Sequence, residues 1–144
     1  MNRRTTAKRA TRKPKTNRVQ RTRAGGTWTE AAFWGFLRSG LRRMTMRWPA
    51  KQVAKQAARR KYTGPNKRQK FEYRCAGCGE WFPDKEVELD HVIPAGKLNS
   101  FEDLPGFVER LFCEPDGYQI LCKDRCHHAK THQKGKQAET LFPA

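Results

Sequence analysis

Two cysteine pairs are the residues whose spacing points most directly to chemistry. Cys75-Ala-Gly-Cys78 is a CxxC knuckle, with Gly77 and Gly79 permitting the tight backbone that two thiolates on one ion demand. Cys122 and Cys126 form a second pair, 44 residues beyond Cys78, in the segment Leu-Cys-Lys-Asp-Arg-Cys. Four thiolates from two pairs suit a closed tetrahedral zinc site. A disulfide framework would need an export signal, which the sequence is read as lacking, and a redox CxxC would need a surrounding βαβ pattern. The second pair is spaced CxxxC, which one turn of helix presents to the same ion. Cys113 is left over beside Leu111-Phe112 and reads as a buried small apolar residue. Zinc here supplies fold stability, because the segment from about residue 71 to 133 is too short to rely on a hydrophobic core alone.

Between the pairs lies a cluster of acids and histidines. In Val87-Glu-Leu-Asp90-His91-Val-Ile-Pro94, Val87 and Leu89 alternate with Glu88 and Asp90, a strand pattern that stops at Pro94. Gly117 to Leu121 reads as a second short strand, and Cys122 to about Lys134 as a helix carrying Cys-His-His-Ala-Lys-Thr-His. Strand, strand and helix with a cysteine pair at either end make a ββα unit. On that helix His127 shares a face with Thr131, and His128 with His132, whose i, i+4 spacing could hold a metal by itself. His132 otherwise reads as a solvated helix-end residue, and Lys130 as a candidate phosphate contact. The insertion from Ser100 to Glu114 predicts one or two short helices, with Ser100 as cap and Asp103 at the box position. Its apolar face, with Leu104, Phe107, Val108, Leu111 and Phe112, covers the core between the strands.

With these pieces in order, the segment from about Cys75 to Thr131 resembles the HNH endonucleases of the ββα-metal superfamily, particularly the small zinc-containing type common in bacteriophages. CxxC, then Leu-Asp-His-x-x-Pro, then Leu-Cys followed by Cys-His-x-x-Lys-Thr carry the likeness. The resemblance implies that His91 is the general base and Asp90 a ligand of one divalent cation, with His127 as the second protein ligand. Cys75, Cys78, Cys122 and Cys126 would hold the structural zinc. Such residue types suit phosphodiester hydrolysis: imidazole deprotonates water near neutral pH, and a cation offsets charge on the phosphate and the departing 3′ oxygen. Mg²⁺ tolerates so open a shell, and nickel, manganese or zinc could replace it. The implied products are a 5′-phosphate and a 3′-hydroxyl. The family's middle Asn should fall near Gly117 and is absent; it often braces the loop behind the base, so its loss bears on His91. Neighbouring strand residues also point to opposite faces, so Asp90 and His91 meet one phosphate only if the strand bends or ends there.

The elements that must position this site differ sharply in charge. The chain carries 31 Lys or Arg against 14 Asp or Glu, a formal charge of +17 over 144 residues. Residues 1–70 hold 22 of those bases and one acid, Glu30. Residues 1–26, rich in Arg, Lys and Thr without apolar period, predict a disordered basic arm suited to a phosphate backbone. From 27 to 70 a basic helical region is expected. Trp34, Leu37, Leu41, Met44 and Trp48 form one helical stripe, Thr27 or Thr29 caps it, and Pro49 ends it and opens a second helix. Val53, Ala54, Ala57 and Ala58 would be the apolar face of that second helix, and Gly64-Pro65-Asn66 the junction to the module behind.

The fold class expected is therefore α+β: a zinc-stapled ββα-metal (HNH) module over 71–134, preceded by a helical hairpin and the arm, with a tail over 135–144. No apolar run is long enough to span a membrane, and the protein is read as cytoplasmic, in the host cell if phage-encoded. Double-stranded DNA, held by the arm and helices, is the expected partner, with a phage protein at the Trp-rich helix as a further one. The function expected is a metal-dependent DNA endonuclease, nicking or cutting both strands, in a homing or packaging setting. The alternative is a non-catalytic zinc-containing nucleic-acid-binding or phage packaging or replication accessory protein.

Overall fold

Thr29 sets the start of the first helix, its Oγ1 accepting from the Ala32 amide at 3.1 Å, so Thr29 rather than Thr27 is the cap. The computed structural model describes residues 18–133. Contacts divide the chain into two units, with the break between Phe33 and Trp34.

In the first unit, β1 (Arg21–Arg23) pairs antiparallel with β2 (Trp28–Thr29) ahead of α1 (Glu30–Met44). Ala24, Gly25 and Gly26 take φ of 51°, 64° and 80°, a left-handed run that two glycines make affordable. Arg23 Nε donates to Glu30 Oε1 at 2.6 Å and its guanidinium lies over Phe33. The expected disordered arm over 1–26 is thus corrected for residues 21–26, because the glycine turn and the Arg23–Glu30 pair give the backbone a hairpin to close. Residues 1–17 of that arm, and the tail over 135–144, lie outside the described residues.

In the second unit, Trp34 is buried on α1 and meets Phe101 edge-on at 4.8 Å. Met44, at the far end of the same stripe, is exposed. A 3₁₀ turn over Thr45–Arg47 follows, and Pro49 opens α2 (Pro49–Ala57) at its first position, as its fixed φ and missing N–H favour. On α2, Ala50 is buried and Val53 exposed; Ala58, just past the helix end, packs on the core. The expected Val53-centred face is rotated accordingly.

The chain then leaves helical structure sooner than expected. β3 (Arg59–Lys61), β4 (Phe71–Arg74) and β5 (Trp81–Phe82) form an antiparallel sheet in the order β3-β4-β5. The expected division at residue 70 falls inside the β3–β4 hairpin, so the basic region and the cysteine module share a sheet. Arg-Arg-Lys has no apolar alternation, and the strand forms through pairing with β4.

β6 (Val87–His91) and β7 (Tyr118–Cys122) pair antiparallel, with Asp90 opposite Gln119 and His91 opposite Tyr118. Val87 is buried and Leu89 half-buried, while Glu88 is exposed, the alternation a one-sided hairpin requires. Between them runs α3 (Leu104–Leu111), whose Phe107 and Leu111 are fully buried with Leu98. Ser100 does not cap it; Asp103 Oδ2 instead accepts from the Asn99 amide at 3.0 Å, which holds that carboxyl below its ordinary pKa. After β7 a π-helical turn over Lys123–His127 leads into α4 (His128–Gln133). One small cluster of Tyr73, Val87 and Ile120 joins the three-stranded sheet to the β6–β7 hairpin, and a second buries Cys75 with Leu121 and Cys122. Among the described residues the fold is mixed α+β, with small sheets and four α-helices. No helix among the described residues is long and apolar enough to cross a membrane.

Candidate functional site

The four cysteines of the two pairs converge. Cys75, Cys78, Cys122 and Cys126 place their sulfur atoms within 4.8 Å of one another. Tetrahedral Zn–S bonds of about 2.3 Å require sulfur separations of roughly 3.8 Å, which small side-chain rotations supply. Backbone amides aim at the sulfurs, Cys122 N to Cys75 Sγ at 3.3 Å and Cys126 N to Cys122 Sγ at 3.4 Å. Against the desolvation that pushes its thiol up, amides of Cys78, Cys122 and Gly77 lower the Cys75 pKa to about 6, whereas the hydrogen bond with Cys122 and burial push Cys126 up to about 12. Donor set, spacing and amide cradle all fit a metal ion such as zinc. The extra residue that makes the second pair CxxxC is absorbed by the π-helical turn, where a one-residue insertion widens a helix.

Glycine geometry explains the knuckle. A Cβ on Gly77 would stand 2.7 Å from Cys126 Sγ, and Gly79 has a φ of +76°. Arg125 pairs with Glu80 and reaches Cys78 Sγ at 3.8 Å, tying the two knuckles together across the centre. Cys113 is no ligand of this group. It is half-buried, beside Gly117, and its carbonyl oxygen accepts from Trp48 Nε1 at 2.8 Å.

Asp90 and His91 stand at the end of β6, where the backbone bends away after His91 and the Val92 amide donates to the Gly117 carbonyl at 2.9 Å. His91 turns toward α3. Its Nε2 is 2.9 Å from the carbonyl oxygen of Leu111, which can only accept, so Nε2 carries the proton. In the neutral ring Nδ1 then holds the free lone pair. Tyr118, directly across the hairpin, packs its ring on His91 at 4.8 Å and donates its hydroxyl to the same Leu111 oxygen at 3.0 Å. Burial raises the Tyr118 pKa, keeping that hydroxyl a neutral donor.

Asp90 turns toward α4. Its Oδ2 accepts from Lys130 Nζ at 2.5 Å, and the same ammonium reaches the backbone oxygen of His91 at 2.5 Å. Sequence reasoning expected Lys130 to meet phosphate; the structure gives it a carboxylate and a carbonyl instead. The His127 ring is half-buried and has no hydrogen bond or ion pair among the described residues, while its carbonyl accepts from Thr131 Oγ1 at 2.9 Å. His127 lies three residues before Lys130, one helical turn away. His128 and His132 are both exposed with ring centroids 4.0 Å apart. Among the described residues no other set of three Cys, His, Asp or Glu side chains gathers as the four cysteines do.

Gly117, where the middle Asn of the resembled pattern would fall, has no room for a side chain. A Cβ there would be 2.6 Å from Cys113 Sγ and 2.8 Å from Cys113 Cβ. Tyr118 and the Leu111 carbonyl were not singled out from the sequence. The register His91 to Tyr118 was within reach of hairpin counting, whereas a backbone carbonyl leaves no mark on residue type. No family model, curated protein or solved structure matches this chain.

Proposed function

We propose that this chain is a metal-dependent DNA endonuclease of the HNH type, with the β6–β7 hairpin and α4 as its ββα unit. The observation that carries the reading is the tautomer of His91. A proton fixed on Nε2 by the Leu111 carbonyl leaves Nδ1 as an oriented base at the end of a strand, next in sequence to Asp90. In the reaction, Nδ1 takes a proton from water as its oxygen bonds to phosphorus. The bond to the 3′ oxygen breaks, that oxygen takes up a proton, and the phosphate stays on the 5′ end.

Asp90 and His127 would hold a divalent cation such as Mg²⁺, whose contribution is to offset negative charge on the phosphate and the leaving oxygen. The donor set fits: one carboxylate and one imidazole leave room for water and phosphate, and the seat of the Lys130 ammonium on Asp90 marks a place that favours positive charge. Structural zinc at the four cysteines would fasten the two ends of the module.

A second reading, a nucleic-acid-binding module without cleavage, is favoured by that same Lys130, which neutralises Asp90 without any metal. A plasmid assay with Mg²⁺ and Mn²⁺ separates the two. The nuclease reading requires cutting by the parent chain and loss of cutting, with duplex binding retained, in His91→Ala and His127→Ala. Intact plasmid under every metal overturns it.

A further inference from the structure

Cations crowd the β3–β4 hairpin out of proportion to its size. From Arg59 to Arg74 the chain has seven Lys or Arg and one acid, Glu72. Glu72 is engaged by Arg60 at 2.6 Å, and Asp84, in the turn after β5, by Lys55 at 2.5 Å. Lys61, Lys67, Arg68 and Lys70 are exposed and have no ion-pair partner among the described residues. Their loop is held in shape. The Tyr62 amide donates to the Lys70 carbonyl at 3.0 Å, and the Gln69 amide to the Asn66 carbonyl at 3.0 Å. Lys61, Lys67 and Lys70 border one shallow groove with Tyr62 and Phe71.

The aromatic rings beside this groove decide between ligands. Of the rings that line it, Phe71 carries the Arg59 guanidinium at 4.1 Å, and away from the groove on β5 Trp81 carries that of Arg60 at 3.9 Å, so one face of each ring meets a guanidinium rather than a nucleobase. A stacked guanidinium keeps its N–H fork free in the ring plane, preorganised for phosphate oxygens. Bare rings along a basic groove would suit single strands; rings capped by arginine suit a backbone.

We propose that the β3–β4 hairpin is a phosphate-binding surface for duplex DNA, with Lys61, Lys67, Arg68 and Lys70 as the contacts and Arg59 as a stacked fork. It deepens the nuclease reading by naming a surface that holds the substrate backbone, and it rests on that reading for the identity of the polyanion. The test uses the full chain carrying His91→Ala, so that substrate survives, and follows binding of a labelled duplex across a series of salt concentrations. Adding Lys61→Gln, Lys67→Gln, Arg68→Gln and Lys70→Gln should flatten the slope of log K against log salt by about two to four units, near 0.9 for each phosphate lost. Lys97→Gln with Lys123→Gln, on other elements, should move it by less than about one unit. A slope unchanged by the four hairpin substitutions overturns the proposal, as does tighter binding of a single strand than of duplex by the parent. Should the fourfold variant unfold, Lys67→Gln with Arg68→Gln at the exposed loop tip should still flatten the slope by about one to two units, and an unchanged slope there is equally fatal. If the slope falls as described but the chain with His91 intact never cuts plasmid, the nuclease reading sinks and the hairpin stands; if that chain cuts while the slope is unaltered, the reverse holds.

Discussion

Leu111 and His91 are joined by a bond from the imidazole Nε2 to the backbone oxygen at 2.9 Å, and Tyr118 donates its hydroxyl to that same oxygen at 3.0 Å. Leu111 ends α3 and is almost fully buried, so the carbonyl is held by the packing of Phe107, Leu111 and Leu98 rather than by a loop. The insertion between the two strands thereby sets the tautomer of the proposed base. Tyr118→Phe removes one donor to the carbonyl but keeps the ring against His91. It should cost about 1 kcal/mol of stability, the usual worth of a buried neutral hydrogen bond, and lower the cleavage rate several-fold without weakening duplex binding. His91→Ala should lower the rate by about 10²–10⁴-fold, the usual range for a lost general base. Thermal unfolding and single-turnover plasmid cleavage measure both, and a Tyr118→Phe chain that melts and cuts as the parent does would detach Tyr118 from the base.

Gly117 bears on how the proposed base is braced. The resembled pattern places Asn near this position, and here a Cβ would meet Cys113 Sγ at 2.6 Å and its Cβ at 2.8 Å. Introducing Gly117→Asn should therefore lower stability by about 1–3 kcal/mol, as overpacking does, and should not raise activity. Combining it with Cys113→Gly removes both contacting atoms, so the double variant should recover part of the loss. Additive losses in denaturant unfolding would mean the two positions do not compete for space.

Gly77 makes the corresponding prediction for the cysteine centre. A Cβ there would press on Cys126 Sγ at 2.7 Å and Cβ at 2.9 Å. Gly77→Ala should weaken zinc binding by about 10–100-fold, as loss of support around a metal site commonly does. Zinc competition against a chromophoric chelator measures this, and parental affinity would show that the four sulfurs do not share one ion. Stripping zinc from the parent should lower its melting temperature sharply, since a core of this size leans on the metal.

The cysteine centre was the most legible part of the chain, because CxxC and CxxxC are local patterns whose residue type can do little else. Strand β6 was legible from alternation and β7 as a second short strand after it, and Pro49 marked a helix start. What escaped was set by pairing and packing. β3 is Arg-Arg-Lys and becomes a strand only because Phe71–Arg74 lies beside it. The π-helical turn after Cys122 reconciles four-residue cysteine spacing with one metal centre, a backbone adjustment that residue types do not announce. Lys130 reads from the sequence as a candidate phosphate contact, yet its partner Asp90 lies 40 positions earlier and is reached only through the fold.

Lys130 also offers the sharpest test of the proposed cation site. Its ammonium bonds Asp90 Oδ2 and the His91 carbonyl at 2.5 Å each, with side-chain exposures of 25% for Lys130 and 18% for Asp90. A divalent ion on Asp90 would share this carboxylate with the lysine ammonium, and repulsion at such distances amounts to a few kcal/mol even at an effective dielectric near ~20. Lys130→Met keeps the stem and removes the charge. It should tighten Mn²⁺ binding by about tenfold or more, seen by Mn²⁺ paramagnetic resonance titration, while lowering stability by about 1–2 kcal/mol through the lost charged hydrogen bonds. The two effects have opposite signs, so general damage to the fold cannot imitate the first. If Mn²⁺ affinity is unchanged, Asp90 is the partner of a structural lysine and not a metal ligand, and the binding-module reading gains the ground.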